Sequence, residues 1–295
     1  MKKRIFTGCA TALVTPMNDD SSVNYQRLRE LINEQIAGGV DALVICGTTG
    51  ESSTLDNDEH CRVLEEAVKV ANKRVPIIAG TGSNDTMYAT QLSQHAESIG
   101  CDGLLMVTPY YNKTSQNGLI NHYNYIADRV NTPIILYNVP SRTGTAFQPA
   151  TYKELAKHEN IVAIKEANGD ISSIAKTKSL VGDDLDIYSG NDDEIVPIMS
   201  LGGIGVISVL SNILPRETHN ICAEMLNGNI KKACEMQLKY ISLINALFSD
   251  VNPIPVKEAM NMLGMNVGPL RMPLAPMTET ARENLRAELK KHGLL

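Results

Sequence analysis

The chain has few of the features that mark a macromolecular partner, a membrane or a metal. Its 27 Lys and Arg are outnumbered by 33 Asp and Glu, and no long basic run offsets the formal net charge of -6. That balance argues against a nucleic-acid partner. No apolar run reaches the roughly 18 residues that a membrane span needs. Six cysteines, Cys9, Cys46, Cys61, Cys101, Cys222 and Cys234, form no C-x-x-C pair, which suits reduced thiols in a cytoplasm better than a disulfide framework. The histidines show neither H-E-x-x-H nor another metal-ligand spacing, so no metal site is expected. No glycine-rich dinucleotide fingerprint follows the first apolar run, and "GTTGE" at 47 to 51 lacks the pattern of a phosphate loop. "VAIK" copies the strand motif of the protein-kinase lysine, but the glycine-rich loop, H-R-D and D-F-G that should accompany it are missing. The basic head "MKKR" is separated from Cys9 by only four residues, too few for a secretory signal, and the segment reads as the run into a first strand.

What the chain does contain is alternation. Eight apolar, β-branched runs recur, among them "GCATALVTP", "DALVICGTTGE", "TPIILYNVPSRTG", "NIVAIKEANGD" and "GGIGVISVLSN". Amphipathic segments such as "DEHCRVLEEAVKVANK" separate most of them. Strands that are apolar on both faces imply a parallel sheet covered by helices. Eight such units predict a closed (β/α)8 TIM barrel rather than an open doubly wound sheet. The C-terminal stretch is helical and too long for one closing helix, so a catalytic barrel over residues 1–225 and a small helical appendage over 226–295 are expected.

Polar and glycine-rich residues end these strand candidates, and in a barrel such ends converge on the face where active sites sit. Within "NIVAIKEANGD" stands Lys165. An ammonium removed from water is costly unless it is paired or gives up its proton. Strand parity places Ile161, Ala163 and Lys165 on one face, with Ile135 and Tyr137 likewise, and Val44, Cys46 and Thr48. A lysine, a phenol and a hydroxyl then surround one cavity. The inward lysine is either a structural ion-pair member, with Glu166 or another acid, or a Schiff-base amine. Glu166 falls on the opposite face by the same parity, which favours the amine. "GTTGE" reads either as a turn capping the next helix or as a pocket for a small carboxylate. Arg142, in "YNVPSRTG", is either a surface arginine or a bidentate carboxylate ligand. Tyr110 and Tyr111 offer a subunit contact or a ligand wall.

In combination, "GTTGE", "VTPYYN", "YNVPSRTG", "IKEANGD" and "GVISV" resemble the dihydrodipicolinate synthase (4-hydroxy-tetrahydrodipicolinate synthase) family of pyruvate-dependent aldolases and lyases. The likeness extends to the C-terminal "NPIPVKEA" and "LRMPLAPM". It implies a cytoplasmic lyase that condenses pyruvate with L-aspartate 4-semialdehyde on the way to diaminopimelate and lysine, with no cofactor beyond a covalent Schiff base. By the same resemblance Lys165 is the Schiff-base lysine, and Tyr137, Thr48 and Tyr111 form a proton relay, Tyr111 being supplied by a neighbouring subunit. Thr49 is implied as ligand of the pyruvyl carboxylate and Arg142 of the semialdehyde carboxylate, with Gly190 and Ile207 lining the pocket. A homotetramer built as a dimer of dimers is implied too. Ser52, Ser53, Asn57, His60, Asn84, Tyr88 and Tyr110 match an effector cleft. Lysine-inhibited members carry an acid where this chain has Tyr88, so weak or absent lysine feedback is expected. An N-acetylneuraminate lyase or 2-keto-3-deoxy-sugar-acid aldolase would share the lysine, the tyrosine and the barrel, but generally not the arginine of "SRTG". A non-catalytic pyruvate-binding barrel is the alternative of another class.

Overall fold

The computed structural model describes residues 2–295. Eight parallel strands alternate with helices and close on themselves, each pairing with the next and β8 with β1. The units are β1 (Gly8–Ala12) and α1 (Tyr25–Gly38), β2 (Ala42–Ile45) and α2 (Asn57–Ala71), β3 (Ile77–Gly80) and α3 (Thr86–Ser98), and β4 (Gly103–Val107) and α4 (Gln116–Ala127). They continue with β5 (Ile134–Asn138), the short α5 (Pro140–Thr143) and α6 (Pro149–Leu155), β6 (Ile161–Glu166) and α7 (Ile171–Val181), β7 (Asp186–Ser189) and α8 (Ile195–Ser200), and β8 (Gly205–Ser208) and α9 (Pro215–Leu226). Three further helices follow: α10 (Ile230–Leu247), α11 (Ile254–Met262) and α12 (Glu279–Lys291). The barrel with its C-terminal helices is the architecture that the alternation predicts.

Helix ends follow local chemistry. Asp56 caps α2 by accepting from the Glu59 amide at 2.8 Å while Glu59 reaches back to the Asp56 amide at 3.3 Å, a reciprocal box that satisfies two otherwise orphaned donors. At the end of α1, Gly39 adopts φ 88°, which a residue without Cβ accepts at little cost.

Two apolar layers hold the barrel. Outward residues such as Leu43, Ile45, Leu104 and Leu136 pack beneath helix residues such as Leu31, Val63 and Leu64. Inward residues, including Ala10, Val44, Ile78, Ile135, Ala163 and Ile207, fill the interior. There Phe6, just ahead of β1, stacks on Tyr188 at 4.2 Å, and the Tyr188 hydroxyl donates to the Phe6 carbonyl at 2.7 Å. The interior is thus a packed plug, and space for chemistry is left at the mouth.

The parity expectation needs two corrections. Ile134 pairs with Ile161 but Ile135 pairs with Ala163, so Val162 is an extra residue in β6. That bulge puts Val162 and Ala163 inside together and sends Ile161 to the outer layer. In β2 the regular strand ends at Ile45, and Cys46 adopts φ 56°. Its side chain joins the outer layer, with Sγ 3.9 Å from the His60 carbonyl.

Candidate active site

Beyond the bulge, parity is restored where it matters. Tyr137 on β5 and Lys165 on β6 are register partners near the ends of their strands, and Lys165 also pairs with Tyr188 on β7. The Lys165 Nζ lies 4.1 Å from the centre of the Tyr137 ring, and the two residues are only 6% and 7% exposed. Among the described residues no carboxylate pairs with this lysine. Glu166 does not act as a counter-ion. It faces the helices, accepting from Asn138 Nδ2 at 2.8 Å and from the Tyr152 hydroxyl at 2.9 Å, and burial pushes its carboxyl up to about 7.

The turn after β2 carries the next group. Gly50 and Glu51 amides donate to the Gly47 and Thr48 carbonyls at 3.0 and 3.1 Å, leaving Thr48 half-buried and Thr49 buried. Glu51 holds φ 54°, an uncommon conformation for a residue with a side chain. It is anchored there by Lys257 of α11. Lys257 Nζ is 2.7 Å from Glu51 Oε1, 2.6 Å from the Pro269 carbonyl and 3.2 Å from the Thr15 carbonyl. The Arg271 amide donates to the other Glu51 oxygen at 2.9 Å, and the Arg271 guanidinium forks onto Glu59 at 2.6 Å through both Nη1 and Nη2. The C-terminal region therefore grips the turn from behind.

Arg142 is exposed on α5, and its Nη2 donates to the Asn252 carbonyl at 3.0 Å. Gly190 follows β7 directly and donates its amide to the Glu166 carbonyl at 2.7 Å. A Cβ there would meet the Ala167 Cβ at 2.7 Å, so the backbone runs close to the end of the Lys165 strand. Ile207 lies on β8 with its side chain inside the barrel. Tyr111 stands apart: it is 92% exposed with φ 66° and makes no contribution to the site of its own chain.

A cleft of about 450 Å³ opens beside the mouth. Thr48 and Arg142 line it together with Ser52, Ser53, His60, Tyr88 and Tyr110, but Asn57 and Asn84 do not. Burial lowers His60 to about 4, although its ring nitrogen sits 2.9 Å from the Gly80 carbonyl, and burial raises the Tyr88 phenol. The lining residues include no acid. No group of His, Cys, Asp and Glu among the described residues is arranged to hold a metal ion, and no helix is long and apolar enough to cross a membrane.

Sequence reasoning missed Asn252, Lys257 and Glu51 as parts of the site. The only local signal was a lysine inside the apolar segment "PIPVKEAM", and its partner is 206 positions away.

Fold and site together define a class, a (β/α)8 barrel enzyme whose mouth presents a buried, unpaired lysine against a tyrosine. Residues 5–292 match the model of the dihydrodipicolinate synthetase family. The 4-hydroxy-tetrahydrodipicolinate synthase of Acetivibrio thermocellus is 52% identical over 295 residues, all of both chains. Among solved structures, the dihydrodipicolinate synthase of Aquifex aeolicus superimposes with a TM-score of 0.96 at 43% identity, over 98% of this chain and 99% of that one. The chloride-inhibited enzyme of Acinetobacter baumannii, complexed with pyruvate, gives a TM-score of 0.96 at 42% identity, over 98% and 99%. This chain belongs to the dihydrodipicolinate synthetase family.

Proposed function

We propose that this chain condenses pyruvate with L-aspartate 4-semialdehyde to give 4-hydroxy-tetrahydrodipicolinate, a lyase reaction of diaminopimelate and lysine biosynthesis. The free amine of Lys165 attacks the pyruvate ketone carbon, water leaves, and an imine joins protein to substrate. Loss of a methyl proton gives the enamine, whose terminal carbon attacks the aldehyde while the aldehyde oxygen takes up a proton. The semialdehyde amino group then attacks the imine carbon and displaces the lysine amine, closing the ring. Tyr137, Thr48 and Tyr111 move the protons, since a phenol is a poor acid alone near neutral pH and gains from a hydrogen-bonded chain. Thr49 holds the pyruvyl carboxylate, Arg142 the semialdehyde carboxylate, and the backbone at Gly190 and Ile207 shapes the pocket. The covalent adduct on Lys165 serves in place of a cofactor.

The observation that carries this reading is a lysine buried at a strand end with no acid to neutralise it. The exposed, strained Tyr111 supports a relay completed across a subunit contact, within a homotetramer formed as a dimer of dimers in the cytoplasm. Residues 1–225 constitute the catalytic barrel and 226–295 a helical region that braces it. Treatment with pyruvate and borohydride, followed by peptide mapping, tests the core of this proposal. A stable adduct confined to Lys165 and lost in Lys165→Ala is expected; no adduct, or one on another lysine, would overturn it.

A further inference from the structure

Asn252 lies in the segment between α10 and α11 and is only 7% exposed. It touches two residues of the site at once. Its Nδ2 donates to the Thr49 Oγ1 at 3.0 Å, and its backbone carbonyl accepts from Arg142 Nη2 at 3.0 Å. Its remaining polar side-chain atom, Oδ1, is buried without a protein partner. A buried amide oxygen left unpaired is unfavourable, so an asparagine serving packing alone would be placed to satisfy both ends. This one spends its single side-chain bond on Thr49.

The geometry points to Asn252 as a positioning residue that orients the Thr49 hydroxyl for the pyruvyl carboxylate and ties it to the segment that receives Arg142. The inference rests on the pyruvate reading of the site. A hydroxyl has one proton and rotates freely. When Nδ2 donates to Oγ1, the Thr49 proton is free to point into the pocket toward a carboxylate oxygen. Without that donor the rotor has no fixed orientation. Because one residue meets both substrate ligands, the spacing between the two carboxylate positions is set by the C-terminal region and not by the barrel alone.

The test is the half-saturating pyruvate concentration for borohydride trapping and for turnover, in the full-length wild type, Asn252→Ala, Thr49→Val and the double variant. Asn252→Ala is expected to raise that concentration about fivefold, the equivalent of roughly 1 kcal/mol, with kcat changed less than the pyruvate KM. In the Thr49→Val background the same change should have almost no further effect, since the two residues act through one bond. An unchanged pyruvate KM in Asn252→Ala, or effects of the two substitutions that simply multiply, would overturn the inference while the Lys165 adduct still formed. Absence of any wild-type adduct would instead remove the pyruvate reading and this inference with it. If Asn252→Ala fails to fold, Asn252→Ser carries the same comparison.

Discussion

Replacing Lys257 by methionine should destabilise the chain far more than its single ion pair suggests. Lys257 and Glu51 have side chains only 1% exposed, and Lys257 also serves the Thr15 and Pro269 carbonyls. Burial lowers the Lys257 pKa even though Glu51 opposes that shift, so water cannot stand in readily for the lost partner. Removing the ammonium strands a buried carboxylate whose other support is the Arg271 amide at 2.9 Å. Breaking a buried pair from one side costs about 3 to 5 kcal/mol, which for a chain of this size lowers the Tm by roughly 5 to 8 °C. The double variant Glu51→Gln with Lys257→Met removes the stranded charge and should recover most of that loss. Turnover should remain impaired, because Thr48 and Thr49 lie in the same turn as Glu51, separated from it only by Gly50. Thermal and urea unfolding followed by circular dichroism, with a steady-state assay on the same samples, separates the two effects. A Lys257→Met variant within about 1 kcal/mol of wild type, or a double variant no more stable than the single one, would refute the reasoning.

Three further outcomes are expected. His60 and His122 are each held near 4 by burial, so below the usual value of 6.5 the unfolded chain binds protons that the folded one does not. Stability should fall as pH drops from 6.5 toward 4, by up to about 3 kcal/mol per histidine, and urea unfolding of His122→Gln should show a shallower slope. Glu166, raised to about 7, works in the opposite direction: its contribution is complete below pH 4.5 and is lost as pH rises to 7. Glu166→Gln should therefore be least affected relative to wild type near neutrality and most affected near pH 5, as read by the same unfolding series. Lysine should inhibit turnover weakly or not at all, because the cleft beside the mouth offers its ammonium groups a neutral phenol at Tyr88 and a neutral imidazole at His60; half-inhibition at submillimolar lysine in a dose series would contradict this.

The barrel was legible because parallel strands covered on both faces must be apolar throughout, while their mouths must be polar. The Tyr137 and Lys165 alignment was legible for a related reason, since both lie near the end of short strands whose alternation is regular there. Parity failed where the backbone left the ideal pattern. Nothing in "NIVAIK" marks Val162 as the inserted residue, because valine, alanine and isoleucine suit either face. Cys46 was misplaced because its left-handed backbone arises from the turn that follows, not from its own propensity. The roles proposed for the site residues come from the resemblance; in the structure Tyr111 is 92% exposed in its own chain, and Asn57 and Asn84 lie outside the cleft lining.

The sequence singled out Lys165 but gave no account of a second buried lysine, Lys257. Lys165 and Lys257 both interrupt apolar runs, and both are withdrawn from solvent in the folded chain. Only the partners distinguish them, and partners are a property of the fold. Lys257 is surrounded by one carboxylate and two carbonyls, all acceptors suited to a permanent ammonium. Lys165 faces a phenol ring near the end of its strand, with no carboxylate paired to it among the described residues. The two are joined through the chain itself: the carboxylate that Lys257 holds belongs to the turn bearing Thr48 and Thr49. Lys257 thus fixes the turn beside the lysine proposed to form the imine, so damage to α11 should appear first as lost geometry at the mouth.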